Sequence, residues 1–356
     1  MSGPDRRRPP FTAAPGDATC KRRHPARTPP MPAQTATQPS APNATKTAAQ
    51  PLVAVLLCTY DGEEYLAGQL NSIALQTHRR WKVWVSDDGS RDRTGAILQQ
   101  YEKQWGSGLF SVLKGPGSGY VANFMSLLCN SRIVADTYAY ADQDDHWETD
   151  KLARAVAWLE TIPGDTPALY MSRTRLIDRD DNDLGLAPLF TAKPPSFANA
   201  IVQNIGGGNT MVMNNAARTL VMANSKDVAI VSHDWWTYLM VSGAGGRVFY
   251  DPYPGVRYRQ HGGNLIGSND RLPARLWRAR QVLGGRFKRW GEINAQGLAR
   301  VREQLTRENR RIFDDFSTAR TGFLPLRLLA LKRSGVHRQG FIDNIGLYVA
   351  ALFNRL

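Results

Sequence analysis

Asp142, Asp144 and Asp145 are three acids that follow directly after the apolar run Thr137-Tyr-Ala-Tyr-Ala141. A hydrophobic run that ends in carboxylates is typical of a buried strand, and open α/β sheets bind ligands at the carboxyl ends of their strands. Because side chains two apart on an extended chain face the same side, Asp142 and Asp144 are expected to point together. This spacing predicts ligation of Mg²⁺ or Mn²⁺, which usually also takes oxygens from a substrate phosphate. The alternative is an acidic surface turn that caps a helix starting near Thr149.

Two more carboxylate sites follow apolar runs earlier in the chain. Thr59-Tyr60-Asp61 comes after residues 52–58, and Asp87-Asp88-Gly89-Ser90 comes after residues 81–86. A carboxylate at a strand end can accept a hydrogen bond from a ribose hydroxyl or a base N–H. The sequence has no Gly-x-Gly-x-x-Gly after the first run and no Gly-x-x-x-x-Gly-Lys-Ser/Thr, which argues against a dinucleotide-binding or P-loop protein.

Apolar runs alternate with helical spacing along the middle of the chain. Strands are predicted at 52–58, 81–86, 110–113, 137–141, 168–172, 209–213 and 247–250. Helices are predicted at 63–76, 94–105, 121–129, 151–160, 214–224 and 233–242. This alternation predicts an α/β fold with a doubly wound, mostly parallel sheet flanked by helices.

The net charge of +14 is concentrated at the two ends of the chain. Residues 1–50 carry a net charge of +6, residues 270–356 carry +11, and residues 51–269 carry −3. Residues 1–50 also contain ten prolines and few large apolar side chains, which predicts a disordered tail. We therefore expect this tail, a catalytic domain at 51–269, and a basic helical region at 270–356.

The basic region suggests an anionic partner surface. Helices are predicted at 271–311, 323–332 and 341–356, and no apolar stretch among them reaches the roughly 20 residues that a membrane crossing needs. Two placements stay open for the last two helices, namely a membrane interface and packing on the catalytic domain or a partner subunit. Three cysteines without a pairing or metal pattern favour a reducing cytosol. Arg6-Arg-Arg8 is not followed by an apolar segment, which argues against a secretion signal.

Several segments closely resemble the motifs of the inverting family 2 glycosyltransferases with the GT-A fold. They are Leu56–Gly62, Gln69–Gln76, Val85–Asp92, Asp142–Trp147, Asp150–Leu152, Gly207–Thr210, His233–Trp236 and Tyr258–Asn264. The forms Asp-Gln-Asp-Asp-x-Trp and Tyr-Arg-Gln-His-Gly-Gly-Asn look most like the rhamnosyltransferase branch. Asp61 departs from the family pattern, which usually has Asn, but either side chain can accept from a nucleotide.

The resemblance implies roles on the donor side of a site. Thr59, Tyr60 and Asp61 would line the nucleoside pocket, and Asp88 would accept from the base or ribose. Asp142 would contact the nucleotide-sugar as part of an Asp-x-Asp element, in which Asp142 and Asp144 hold the metal and Asp144 is its direct ligand.

The resemblance also implies roles on the acceptor side. Asp234 stands where the family carries its catalytic base, and the alternative is a first-turn acid of the following helix. Contacts to the acceptor or the diphosphate are predicted for Asp145, Trp147, His233, Arg259 and His261. The alternatives are a loop contact for His261, a solvated strand-end charge for Arg259, and core packing for at least one of Trp147, Trp235 and Trp236.

The expected reaction follows from charge. A metal held by Asp144 would stabilise the negative charge that grows on a leaving nucleoside diphosphate, and Asp234 would take the proton of the acceptor hydroxyl. One direct displacement would invert the anomeric centre. The family resemblance implies transfer of a sugar from a dTDP- or UDP-linked donor to a saccharide or lipid-linked acceptor, and the branch resemblance makes rhamnose the first candidate. This step would belong to cell-surface polysaccharide assembly at the cytoplasmic face of the membrane, with peripheral attachment and without nucleic acid.

Two other functions are weighed against this one. A sugar-nucleotide pyrophosphorylase would need a Gly-rich loop with Arg and Lys after the first strand, and Thr59-Tyr-Asp-Gly62 is not such a loop. A non-enzymatic protein that binds nucleic acid or membrane would explain the basic ends of the chain. It would not explain acids at the ends of three strands.

Overall fold

The computed structural model describes residues 50–260 and 286–356. Nine strands lie in the first range, at β1 Val53–Thr59, β2 Trp81–Asp87, β3 Phe110–Lys114, β4 Thr137–Ala141, β5 His146–Trp147, β6 Ala168–Ile177, β7 Asp183–Leu186, β8 Val212–Asn214 and β9 Arg247–Arg259. The helices there are α1 Leu66–Ala74, α2 Thr94–Trp105, α3 Tyr120–Leu128, α4 Lys151–Leu159, α5 Phe197–Ala200, α6 Asn215–Ala223 and α7 His233–Gly243. The second range contains α8 Arg286–Arg300, α9 Arg307–Thr321, α10 Leu324–Ser334 and α11 Phe341–Leu352.

All of these strands belong to one sheet with the order β3-β2-β1-β4-β8-β6-β9-β5, and β7 pairs with β6. Strands β1 to β4 are parallel, while β8 runs antiparallel to both of its neighbours. Thr59 pairs with Asp87 across β1 and β2, and Leu57 pairs with Ala141 across β1 and β4. The three acidic strand ends therefore meet at one edge, and the predicted α/β fold with a mostly parallel, helix-flanked sheet is confirmed.

Both faces of the sheet are covered, as the continuous apolar run of β1 predicts. Val53, Val55 and Leu57 face a core that α1, α2 and α4 complete, whereas Leu56 and Cys58 face a second core on the other side. This division follows from the strand period of two. It holds β1 rigidly, so the loop that follows it has a fixed starting point.

The C-terminal helices pack on the second face. Leu298, Phe313 and Leu331 are buried in the same core as Trp236 of α7. The predicted helix at 271–311 is two helices within the part that the structure describes, because a 3-10 turn at Arg302–Gln304 separates α8 from α9. Within residues 50–260 and 286–356, none of the helices combines the length and apolarity that a membrane crossing requires.

Some predictions concern residues 1–49 and 261–285, which are outside the described ranges. These are the disordered tail, the domain boundary at 269/270 and the start of the first basic helix. The predicted strand at 209–213 is wrong in its first half, because Gly208–Thr210 forms a 3-10 turn before β8. Thr210 bends the chain there, since its side-chain oxygen and its amide both donate to the carbonyl of Gly207.

Candidate active site

The loops after β1 and β2 are interlocked. The Thr59 hydroxyl donates to a carboxylate oxygen of Asp87 over 2.9 Å. The Asp61 amide donates to the Ser90 hydroxyl over 2.9 Å, and the Arg91 amide donates to the Asp61 carboxylate over 2.7 Å. Asp61 has a φ of 45°, a left-handed conformation that Asp and Asn adopt more readily than most residues. The loop predicted to line a nucleoside pocket is therefore fixed by its neighbour, and Tyr60 remains 55% exposed on it.

Gln143 joins the end of β4 to the loop after β1. Its side-chain oxygen accepts from the Tyr60 amide over 2.8 Å, and its side-chain nitrogen donates to the Tyr60 carbonyl over 2.9 Å. A Cβ at Gly62 would lie 2.2 Å from the Gln143 side-chain oxygen, so only glycine fits there without a shift. No role was predicted for Gln143, although its place between Asp142 and Asp144 was a signal that it faces the other way.

Asp88 shapes the glycine loop that follows β3. It is 8% exposed, and its two carboxylate oxygens accept from the amides of Gly117 and Gly119 over 2.7 and 2.9 Å. Both glycines have positive φ, at 67° and 90°, which favours glycine over other residues. The predicted contact from Asp88 to a base or ribose stays a prediction. In this structure the hydrogen bonds of Asp88 stabilise the glycine loop.

Asp142 interacts electrostatically with Asp144 and with Asp234, a carboxylate from a distant part of the sequence. The pKa of Asp142 is raised to about 8, mainly by burial and further by the negative charges of Asp144 and Asp234. Asp234 therefore lies within electrostatic range of the Asp142–Asp144 pair, although it belongs to α7. A cation placed among these groups would favour their ionised forms.

Asp234 is held at the start of α7. One carboxylate oxygen accepts from the Asn204 side chain over 2.9 Å and from the Gly208 amide over 3.2 Å. The other oxygen accepts from the Trp235 amide over 2.7 Å. Asp234 is thus a first-turn acid and a member of the carboxylate cluster at the same time. The sequence did not predict that Asn204 and Gly208 orient it.

Asp145 is a buried structural acid. It is 1% exposed, it accepts from the Asn209 side chain over 2.5 Å and from the Arg259 amide over 3.3 Å. Burial raises the pKa of its carboxyl group well above the usual range, with the charges of Asp144 and Asp142 adding to the effect. In this structure Asp145 joins β9 to the turn before β8, and the predicted contact with an acceptor or diphosphate stays a prediction.

Arg259 is also bound within the protein. Its guanidinium donates to the carbonyls of Asp144, Asp178 and Arg179 over 3.0 to 3.1 Å and to the Asp181 carboxylate over 2.6 Å. Only 5% of the residue is exposed, so it is not a solvated charge, and the predicted contact with an acceptor or diphosphate stays a prediction. It anchors the Asp144 backbone to the hairpin turn between β6 and β7.

The three tryptophans considered for an acceptor platform all lie in the core. Trp147 is 1% exposed, and the Lys151 amine lies 3.6 Å from its ring centroid. The indole nitrogens of Trp235 and Trp236 donate to the Ala200 carbonyl and the Ser225 hydroxyl over 2.7 and 2.9 Å. The acceptor contact predicted for Trp147 stays a prediction, and its nearly complete burial supports the alternative of core packing.

His233 sits in an aromatic box beneath Asp234. Its ring stacks on Phe124 with 3.9 Å between centroids and meets the edge of Tyr140 at 4.7 Å. It is 4% exposed, and neither ring nitrogen has a hydrogen-bond partner among the described residues. Burial lowers the pKa of His233 to about 4. These surroundings give His233 a packing role, and the predicted acceptor or diphosphate contact stays a prediction.

The carboxylate cluster fits a hard divalent cation. No group of three His, Cys, Asp or Glu side chains that could hold a metal occurs within residues 50–260 and 286–356, and His261 lies outside those ranges. Mg²⁺ and Mn²⁺ are commonly held by one or two carboxylates while substrate phosphates supply further oxygens. Asp142 and Asp144 supply such a carboxylate pair, so these residues fit a metal that binds together with a nucleoside diphosphate.

The sheet topology is that of a GT-A-like fold. Residues 54–207 match the family model described as Glycosyl transferase family 2. The structure aligns with that of S. aureus TarS 1-349 in complex with UDP-GlcNAc at a TM-score of 0.51 and 16% identity, covering 80% of this chain and 81% of that one. At this identity the likeness shows the fold alone.

Two sequence relatives extend the comparison. The dTDP-rhamnosyl transferase RfbG of Shigella flexneri is 29% identical over 239 residues, which is 62% of this chain and 77% of that protein. The putative teichuronic acid biosynthesis glycosyltransferase TuaG of Bacillus subtilis is 32% identical over 110 residues, 31% of this chain and 42% of that protein. Together with the family match over residues 54–207 and the fold, they support a family 2 glycosyltransferase domain in this chain.

Proposed function

We propose that this glycosyltransferase is metal-dependent and inverting, and that it moves a sugar from a nucleoside-diphosphate donor to a saccharide or lipid-linked acceptor. The observation that carries the proposal is the position of Asp234. It comes from a helix that begins about ninety residues after the Asp-x-Asp element, yet it is close enough for its charge to raise the pKa of Asp142. Such a reaction needs a pair of carboxylates that holds a cation and a base at one place, and Asp142, Asp144 and Asp234 would supply them.

The donor would bind along the sheet edge. The loop that starts at Thr59 and the glycine loop held by Asp88 would enclose the nucleoside, because both are fixed by hydrogen bonds before any ligand arrives. Asp144 and Asp142 would hold Mg²⁺ or Mn²⁺, which when bound supplies electrostatic stabilisation of the departing diphosphate. Because these loops are already ordered, donor binding would lose little free energy to ordering them.

Asp234 would act as the general base. The acceptor oxygen forms a bond to the anomeric carbon while the bond from that carbon to the diphosphate oxygen breaks, and the acceptor proton passes to Asp234. A carboxylate has about four lone-pair sites, so the bonds from Asn204, Gly208 and Trp235 leave room for this proton. A single displacement of this kind inverts the anomeric configuration.

The substrate class is supported by the relatives. RfbG is described as a dTDP-rhamnosyl transferase and TuaG as a teichuronic acid biosynthesis enzyme, so we infer dTDP-rhamnose as the first donor and cell-surface polysaccharide as the product. UDP-sugars are the second donor class, because the structural neighbour TarS is described in complex with UDP-GlcNAc. The acceptor would be met at the cytoplasmic face of the membrane.

A donor screen tests this proposal. Purified protein with Mn²⁺ or Mg²⁺ would be offered dTDP-rhamnose and the common UDP- and GDP-sugars, with release of the nucleotide as the readout. We expect metal-dependent release from one donor, its loss in Asp144→Ala, and its retention in Asp165→Asn, an exposed acid outside the cluster. The proposal fails if no donor releases nucleotide and calorimetry detects no metal-dependent nucleotide binding. A pyrophosphorylase would instead need added pyrophosphate, with which it would convert the nucleotide-sugar into a nucleoside triphosphate and a sugar phosphate.

A further inference from the structure

Helix α11 presents an apolar stripe to solvent. The exposed side chains are Phe341, Ile342, Ile345, Tyr348, Val349 and Leu352. Their spacing of one, three and four residues places them on one face of the helix. Phe341 and Ile342 are 81% and 79% exposed, whereas Leu347 and Ala351 on the other face are buried in the core. The helix is therefore attached by one side and leaves a continuous apolar face uncovered within the described part of the chain.

The neighbouring helix extends this face. The Arg327 guanidinium donates to the Ala351 carbonyl over 2.8 Å, so the start of α10 lies beside the end of α11. Phe323 at the start of α10 is 69% exposed, and Phe353 just after α11 is 73% exposed. Single exposed apolar side chains are common, but a contiguous patch of this kind usually marks an interaction surface.

The positive charge around the apolar stripe favours an anionic partner. Residues 286–356 contain fourteen Lys or Arg and six Asp or Glu, a net charge of +8, and residues 344–354 contain no charged residue at all. Lys332 and Arg333 at the end of α10 are exposed. An uncharged apolar helix face within a basic segment is the pattern of a helix that lies in the interface of an anionic bilayer.

We propose that the exposed face of α10 and α11 docks on an anionic membrane surface, with α11 lying in the plane of the interface. A helix of twelve residues is about 18 Å long, which is too short to cross the hydrocarbon core. This inference deepens the proposed function, since it places the site where a lipid-linked acceptor would be found. Vesicle binding itself needs no catalysis, so the two proposals can fail separately.

A second copy of the chain is a poorer fit for this face. A twofold interface would place the same basic segment of two copies against each other, and both would carry the net charge of +8. Like charges at close range oppose such an association, whereas anionic lipid head groups neutralise them. The charge that disfavours self-association therefore favours the membrane.

Flotation of the full-length protein with vesicles tests the proposal. Vesicles of phosphatidylcholine alone are compared with vesicles that also contain phosphatidylglycerol. The test variant is Ile345→Glu/Val349→Glu, at positions that are 50% and 44% exposed, so it removes no core contact. The matched control is Leu75→Glu/Val134→Glu, at positions that are 59% and 75% exposed on the catalytic domain, with the same change in net charge.

We expect binding to the anionic vesicles, weaker binding at high salt, and roughly a hundredfold weaker partition of the test variant, since each buried aliphatic side chain contributes about tenfold. The control variant should bind like the unmodified protein. Absence of binding, or an equal loss in both variants, would overturn the proposal. If light scattering detects a dimer, and Ile345→Glu/Val349→Glu makes it dissociate, the face would be assigned to a second copy instead. Nucleotide release in detergent should be the same in the test variant and the unmodified protein, so a failed donor screen would leave the vesicle result unaffected.

Discussion

Gln143 binds the main chain of Tyr60 through both ends of its side-chain amide, at 2.8 and 2.9 Å. The residue between the two acids of the Asp-x-Asp element thus fixes the loop after β1, while the acids on either side of it are the proposed metal ligands. We therefore expect donor recognition and metal binding to depend on the same short segment. Movement of this segment would disturb both functions together.

Substitution of Gln143 should weaken nucleotide binding. Gln143→Ala removes two hydrogen bonds, each contributing about 1 kcal/mol, so we expect an affinity loss of roughly tenfold to thirtyfold. Calorimetry with the donor nucleotide measures it. Gln143→Glu keeps an acceptor for the Tyr60 amide and should lose less. Equal affinity of Gln143→Ala and the unmodified protein would show that the nucleoside loop does not depend on this clamp.

A pair of variants separates the two possible roles of Asp88. Gly117→Ala strains the glycine loop at a φ of 67° without changing the carboxylate that holds it, at a cost of about 1 to 2 kcal/mol. If Asp88 acts by shaping this loop, Asp88→Asn and Gly117→Ala should weaken nucleotide binding by similar factors. If Asp88 contacts the nucleotide directly, Asp88→Asn should have a much larger effect than Gly117→Ala. Calorimetry of nucleotide binding to both variants decides between the roles.

Lys151 should make the free energy of unfolding depend on pH. Its amine is buried over the Trp147 ring, and burial lowers its pKa to about 7 from the usual 10.5. Between these values the unfolded chain binds a proton that the folded chain lacks, so stability should rise with pH in this range and be lowest below pH 7. Lys151→Met should therefore stabilise the fold by a few kcal/mol below about pH 7, with the gain shrinking toward pH 10.5. Urea unfolding at several pH values tests this, and a pH-independent difference would contradict it.

His233 should have its effect on the acid side. Burial lowers its pKa to about 4, so below about pH 6.5 the unfolded chain takes up a proton that the folded chain does not. Stability should fall as the pH drops from 6.5 toward 4. His233→Leu should show a shallower loss over this window, by about 1.4 kcal/mol per pH unit. The readout is the slope of unfolding free energy against pH, since the leucine also changes packing. Parallel slopes for the two proteins would refute a neutral, buried His233.

The sequence was sufficient for the parts of the site that depend on local pattern. Apolar runs that end in acids placed Thr59, Asp88 and Asp142 at strand ends, because parallel strands bring their carboxyl ends to one edge. The role of Asp234 came from family resemblance, since no local pattern relates a helix start to a strand end about ninety residues earlier. Its position beside Asp142 is a tertiary relationship that only the structure reveals.

The sequence did not predict the internal contacts of several site residues, because residue type and spacing do not reveal which groups a side chain contacts. Arg259 and Asp145 follow the patterns of exposed functional charges, yet both are buried, with hydrogen bonds to main-chain groups. Trp147 is a plausible platform by type, yet its ring lies beneath Lys151 in the core. Burial is decided by how β9, the β6–β7 turn and α4 close over the acidic loop, and spacing along one segment does not encode that closure.

The central claim is that Asp234 removes the acceptor proton at a site whose donor half is complete without it. Asp234→Asn is nearly isosteric, and its side-chain oxygen can still accept from Asn204 and Gly208. We predict that the substitution lowers kcat by about 100- to 10,000-fold, as expected for loss of a general base. The affinity for the donor nucleotide, measured by calorimetry with Mn²⁺, should change by less than about twofold. Unchanged turnover, or loss of donor binding in parallel with turnover, would contradict the account.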